Sequence, residues 1–182
     1  MASPVDLYPL AELTAAIASA PARCGQVRVL AIDGGAAAGK SGLAGALAGL
    51  LPGAPVLHTD DLLDGWSGQS GYADRLREGV LGPLAAGRPG SYRRYDWTAG
   101  RFAEQVSVPL AKVLIVEGVC AIDSCAPLAS LGIFIDVARA VRLRRWIDRD
   151  GPPQQAWLDW LDGEDRYFAE HPPQPGTIVL AG

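Results

Sequence analysis

A chain of 182 residues with 49% hydrophobic content has the size and composition of one globular domain with a sizeable core. Its net charge of −4 argues against a nucleic-acid partner, because no basic field exists to neutralise phosphates along a groove. Cys24, Cys120 and Cys125 are odd in number and form no C-x-x-C pair, which points to neither a disulfide framework nor a zinc site, but to thiols in a reducing compartment.

In chain order, the first segment is LYPLAELTAAIASAPA. It has the apolar content of a signal peptide but lacks a basic start and carries Asp6 and Glu12. Leu10, Leu13 and Ile17 fall at helical spacing, so a short amphipathic helix packed on the domain is predicted. No apolar run approaches transmembrane length, and the chain is expected to be cytoplasmic with no membrane partner.

From there apolar runs and helical patterns alternate, the mark of an α/β domain with a parallel sheet. Strands are predicted at Val27–Ile32, Val56–Thr59, Lys112–Val116, Gly132–Val137 and Gly176–Leu180. Helices are predicted at Lys40–Leu51, Ala138–Arg149 and Gln154–Ala169. Pro52 and Gly53 stop the first of these. Residues 61–110 interrupt the alternation with a helix near Ala73–Ala86 among Gly-rich, aromatic and Arg-rich loops, and an excursion of this length is more often functional than decorative. The stripe Trp157, Trp160, Leu161 and Phe168 reads as core.

The sharpest signal is Gly34-Gly35-Ala36-Ala37-Ala38-Gly39-Lys40-Ser41, which matches G-x-x-x-x-G-K-[ST] between a buried strand and a helix. Small residues let backbone N–H groups curl around the β- and γ-phosphates of a nucleotide. Lys40 bridges those phosphates, Ser41 offers its hydroxyl to magnesium, and the helix aims its positive end at the anion. ATP and Mg²⁺ are therefore the expected cofactors.

The next helix carries the chain about 18 Å from the phosphates and the following strand brings it back. Asp60 and Asp61 thus arrive at the carboxyl edge of the sheet, where one can accept the proton of an attacking hydroxyl and the other can face the acceptor. The bland alternative is an exposed Asx turn. Glu117 ends its strand at the same edge and suits magnesium. On Ala138–Arg149, Arg142, Arg145 and Arg149 share a face and Arg144 does not. They are either a solvated helix face or guanidinium forks that close over phosphates.

The P-loop, HTDD, YDW at Tyr95–Trp97, LIVEG and RLRRWIDRDG occur in this order, and the ordered set resembles the uridine kinase-like branch of P-loop nucleoside kinases. The similarity runs from about Val27 to the end of the chain, and nicotinamide riboside kinases share much of it. The resemblance implies a three-layer P-loop kinase fold: about five parallel strands flanked by helices, a small acceptor-binding lobe at about 61–110, and a short lid at about 142–153. It implies Asp60 as general base, Glu117 on magnesium, Arg145 near the acceptor hydroxyls and Arg149 on the ATP phosphates. It also implies that Asp96, with Tyr95 and Trp97, lines the acceptor pocket.

Uridine kinases usually follow Y-D-[FY] with a histidine, carry further lid arginines after the R-D pair, and often have serine where Ala36 and Ala37 stand. This chain has none of these features. The leading expectation is an ATP-dependent kinase of a nucleoside-like alcohol. The alternatives are a kinase of another hydroxylated metabolite, such as a sugar acid or an antibiotic, and an ATP-binding regulator without catalysis. No N-K-x-D or L-S-G-G-Q sequence places the chain among other P-loop machines.

Overall fold

The computed structural model describes residues 8–66 and 68–182; Asp6, one of the two charges set against a signal peptide, lies outside them. Side-chain alternation decides the layering. In β1 (Arg28–Asp33), Val29 and Ala31 face one core while Leu30 and Ile32 face the other, and all four are fully buried. A strand covered on both faces belongs in the middle of a parallel sheet. β1 pairs in parallel with β5 (Val113–Glu117) on one side and β6 (Ala129–Asp136) on the other. β2 (Val56–His58) and β7 (Ile178–Ala181) complete a five-stranded sheet in the order β2-β5-β1-β6-β7.

On one face, α1 (Leu10–Ser19) and α2 (Lys40–Leu50) bury Leu13, Ile17, Leu43 and Leu47 against Leu30, Ile32 and Ile115. On the other lie α3 (Ala73–Leu76), α4 (Gly82–Ala85), α5 (Ala121–Cys125) and α7 (Gln155–Glu170), packed through Leu76, Leu84, Cys125 and Leu161. Each buried Leu or Ile contributes about 1.5–3 kcal/mol, so the two-sided core holds the strand ends in a fixed register. That register sets Ile32 and His58 on either side of Glu117 at the carboxyl edge. Among the described residues no helix is long and apolar enough to cross a membrane.

The excursion at 61–110 holds more regular structure than its sequence suggests. The expected helix is present, but α3 and α4 are joined by a π turn (Arg77–Leu81) in which the Gly82 N–H returns to the Arg77 carbonyl. Pro83, which has no N–H to donate, follows at once, so the widened turn absorbs it. The Arg-rich loops are instead a hairpin of β3 (Gly90–Asp96) and β4 (Arg101–Val108). Arg94 and Glu104 pair across it at 2.6 Å, and Tyr95 meets Phe102 edge-on.

Candidate active site

The loop between β1 and α2 is fastened from behind. The Asp33 carboxylate accepts the N–H groups of Gly34 (2.7 Å), Cys120 (2.9 Å) and Ile122 (3.0 Å), tying the loop to the turn after β5. Burial pushes the Asp33 carboxyl up to about 6, against the pull of these donors and of Lys40. A Cβ on Gly35 would lie 2.1 Å from Arg142 Nη1, so only glycine lets that guanidinium pack beneath the loop. Gly34, Gly35 and Ala38 form the rear of the loop, whereas Ala36, Ala37, Gly39, Lys40 and Ser41 line a cleft of about 720 Å³. Left-handed φ angles at Ala37 (60°) and Gly39 (106°) give the curl that a phosphate cradle needs.

Lys40 is 8% exposed, and its only hydrogen bond among the described residues goes to the Gly35 carbonyl at 2.8 Å. A sheltered ammonium in the first turn of a helix is matched to an anion. Ser41 donates to Glu117 Oε1 at 2.9 Å, and His58 Nδ1 meets the same oxygen. Burial alone would raise the Glu117 carboxyl, but His58, Lys40 and Ser41 together hold it below the ordinary range. The hydrogen bond to Glu117 in turn raises His58. An ionised carboxylate beside a serine hydroxyl at the loop suits a hard divalent cation that also binds phosphate oxygens.

A 3-10 turn (Thr59–Leu62) after β2 carries the two aspartates. They part company. Asp60 lines the cleft, and its backbone carbonyl accepts the Trp97 indole N–H at 3.2 Å. Desolvation raises its carboxyl, partly offset by Lys40. Asp61 does not line the cleft; it accepts the Tyr92 hydroxyl at 3.0 Å within the lobe. Gly118 is needed for this arrangement, since a Cβ there would sit 1.7 Å from Thr59 Oγ1 and force the turn off the end of β5.

Of the arginines on α6 (Arg139–Asp150), Arg145 and Arg149 line the cleft. Arg145 Nη1 lies 3.4 Å from the Ala38 carbonyl, and Arg149 pairs with Asp150 at 2.6 Å. Arg142 departs from the expected fork. It is 5% exposed, and its guanidinium is spent on Glu164 (2.6 Å) and Asp165 (3.1 Å). Sequence reasoning missed Glu164, which also accepts the Ala36 N–H (2.9 Å) and the Trp160 indole N–H (2.7 Å). One buried carboxylate thus joins the loop, α6 and α7. Glu164→Ala is expected to cost up to about 3–5 kcal/mol, because it leaves the buried Arg142 with only the half-exposed Asp165 as counter-charge; chemical denaturation measures this, and an unchanged midpoint would contradict the assignment.

Trp66, Trp97, Trp146, Trp157 and Trp160 all line the cleft. The stripe is core as expected, with Trp160 and Leu161 buried and Trp157 and Phe168 packed against them, and Trp157 and Trp160 also face the cleft. Of the YDW residues only Trp97 reaches the cleft. Tyr95 is buried against Trp97 and Phe102. Asp96 Oδ1 accepts the N–H groups of Thr98 and Ala99, both at 2.9 Å, so its carboxylate closes the hairpin turn and does not line the cleft.

The sheet order, the loop and the helices define a P-loop kinase fold. The chain is similar in structure to a possible uridine kinase from Bacillus stearothermophilus, with a TM-score of 0.67 and 19% identity over 94% of this chain and 96% of that one. It is also similar to a "putative fructose transport system kinase" from Silicibacter sp. TM1040, with a TM-score of 0.66 and 22% identity over 94% of this chain and 98% of that one. At the level of sequence, no protein-family model and no curated protein matches the chain.

Proposed function

We propose that this chain is an ATP- and magnesium-dependent phosphotransferase that acts on a hydroxyl of a small nucleoside-like molecule. The observation that carries this reading is the sheltered Lys40 ammonium at the start of α2, sharing one cleft with the Asp60 and Glu117 carboxylates. Binding a nucleotide would need the first of these; turnover would need all three.

The loop backbone and Lys40 hold the phosphate chain of ATP, with Ser41 and Glu117 as the magnesium-holding pair. Magnesium, when bound there, offsets charge on the phosphate oxygens. Asp60 orients the acceptor hydroxyl and takes its proton; its raised carboxyl brings it closer to the operating pH than an exposed aspartate would be. Arg145 and Arg149 supply guanidinium charge from the lid side, Arg149 by exchanging Asp150 for a phosphate oxygen. Residues 61–110 form the acceptor lobe and 142–153 the lid of a single kinase domain.

Arg149→Ala is expected to lower kcat more than ATP affinity, because a lid arginine acts on charge that develops during transfer. Arg144, exposed and paired with Asp148 on the same helix, is the control. Equal small effects from both substitutions would reduce Arg149 to a solvated surface charge.

The name of the Silicibacter neighbour keeps a second acceptor class, a simple sugar, in view. ADP release measured across nucleosides, ribosides, sugars and aminoglycosides tests the proposal. Acceptor-dependent release with nucleosides or other ribosides supports it, and ATP binding without acceptor-dependent release favours a regulator.

A further inference from the structure

The chain has five tryptophans, spread over the lobe, its hairpin turn, α6 and α7, and all five line one cleft. Trp97, Trp66 and Trp160 form a continuous run, with ring centroids 5.2 Å and 5.4 Å apart and planes crossed at 61° and 71°. Trp157 stacks on Trp146 at 4.8 Å. Trp66 and Trp97 are 45% and 42% exposed, a large aromatic area left open to water on a concave wall. Uncovered aromatic surface of this kind marks a binding site.

The wall is as informative for what it lacks. Among the described residues, the cleft lining includes no Asn, Gln, His or Thr, and its one serine is Ser41 on the loop. Of the charged side chains in the lining, Lys40, Glu117, Arg145 and Arg149 are assigned to phosphates and magnesium in the reading above, and Asp150 is paired with Arg149. Two of the indole N–H groups are already committed, that of Trp97 to the Asp60 carbonyl and that of Trp160 to Glu164. The wall therefore offers π faces and few in-plane partners.

Resting on the phosphotransferase reading above, we infer that the acceptor is an alcohol carried on an aromatic ring, and that the cleft grips the ring by its faces without reading its edges. Selecting one base over another takes side chains that donate and accept in the ring plane, as Asn, Gln and Arg do. A bare sugar would bury hydroxyls that this wall leaves unpaired, each at a cost in affinity. A flat ring meets neither obstacle, and stacking tolerates any ring with a π face. Asp60, joined by Asp150 once Arg149 turns to a phosphate, is then left to address the acceptor hydroxyls. The expected specificity is broad among ring-bearing alcohols and poor for sugars alone.

The probe is phenyl β-D-riboside, which keeps a ring and a primary hydroxyl but presents no edge to read. Binding is followed by quenching of tryptophan emission, with magnesium and a non-hydrolysable ATP analogue present, and is compared with uridine, adenosine, ribose and fructose. Phenyl riboside is expected to bind within about thirtyfold of the tightest nucleoside, and both sugars more than thirtyfold more weakly than phenyl riboside. Trp66→Ala and Trp97→Ala are each expected to raise the phenyl riboside Kd at least tenfold, about 1.4 kcal/mol, with the Kd of the ATP analogue unchanged. Trp66→Phe, which keeps an aromatic face, should retain affinity within about threefold and covers the case in which an alanine variant fails to fold. A nucleoside preference over phenyl riboside wider than about thirtyfold, a sugar binding as tightly as the ring compounds, or no quenching by phenyl riboside would each overturn the inference. Failure of the phosphotransferase reading looks different: phenyl riboside and the nucleosides still quench, but no acceptor drives ADP release.

Discussion

Lys40→Ala is expected to abolish turnover and to weaken ATP binding. The ammonium is the one side-chain cation of the loop, and it is held on the Gly35 carbonyl of that loop. On the proposed reading it counters the charge of the β- and γ-phosphates throughout transfer, so its loss is felt in the ground state and more strongly in the transition state. In the free protein the same group is held from water with a single carbonyl partner. It is also the cation that favours the ionised forms of the buried Asp33, Asp60 and Glu117 carboxyls, so its removal should lower stability modestly as well. Calorimetric ATP titration and thermal melting separate the two effects. A well-folded Lys40→Ala protein that released ADP at the wild-type rate would remove the loop from the mechanism.

The second large effect belongs to Asp60→Asn, which is expected to lower kcat by about 10²–10⁴ with little change in ATP affinity, as for loss of a general base. Asp61→Asn should do less, because Asp61 is turned into the lobe against Tyr92. The pH dependence gives an independent reading. Desolvation raises the Asp60 carboxyl above its ordinary value of 3.8, so the protonated, inactive form persists to higher pH than for an exposed aspartate. Turnover in the wild type is thus expected to fall as pH drops through that raised value, and Asp60→Asn should lose this acid limb. A limb that survives in Asp60→Asn would assign it to another group, with Glu117 the next carboxylate in the cleft.

Much of this site could be read from residue order because its parts are local. The P-loop is contiguous, and because it follows the buried strand around Val29–Ile32 directly it lies at the carboxyl end of the sheet. Asp60 and Glu117 follow directly from being the first carboxylate after one strand and the last residue of another, both strands running toward that end. The parts that could not be read depend on tertiary partners. A helical wheel groups Arg142 with Arg145 and Arg149, but it cannot show Glu164 waiting on the next helix to bury one of the three. Glu164 itself meets the loop across 128 residues of sequence. Asp96 sits in a motif-like setting, yet the nearby Thr98 and Ala99 N–H groups claim its carboxylate before any ligand can, the ordinary chemistry of an Asx turn. The hairpin escaped notice because β4 carries Glu104, Gln105 and Ser107 on exposed positions and buries only Val108, leaving little apolar alternation to see. The tryptophans of the wall come from four separate elements, and apart from Trp157 and Trp160 on α7 nothing in their spacing announces that they converge.

The central claim is transfer of the terminal phosphoryl group of ATP to an acceptor hydroxyl, and following the label from γ-³²P-ATP tests it most directly. Wild-type protein with magnesium and uridine or phenyl riboside is expected to move the label onto the acceptor as a phosphate monoester, one for each ADP formed, while Lys40→Ala and Asp60→Asn move little or none. Label that appears only as inorganic phosphate, or stays on ATP in the presence of both acceptors while ATP binds tightly, would contradict the account.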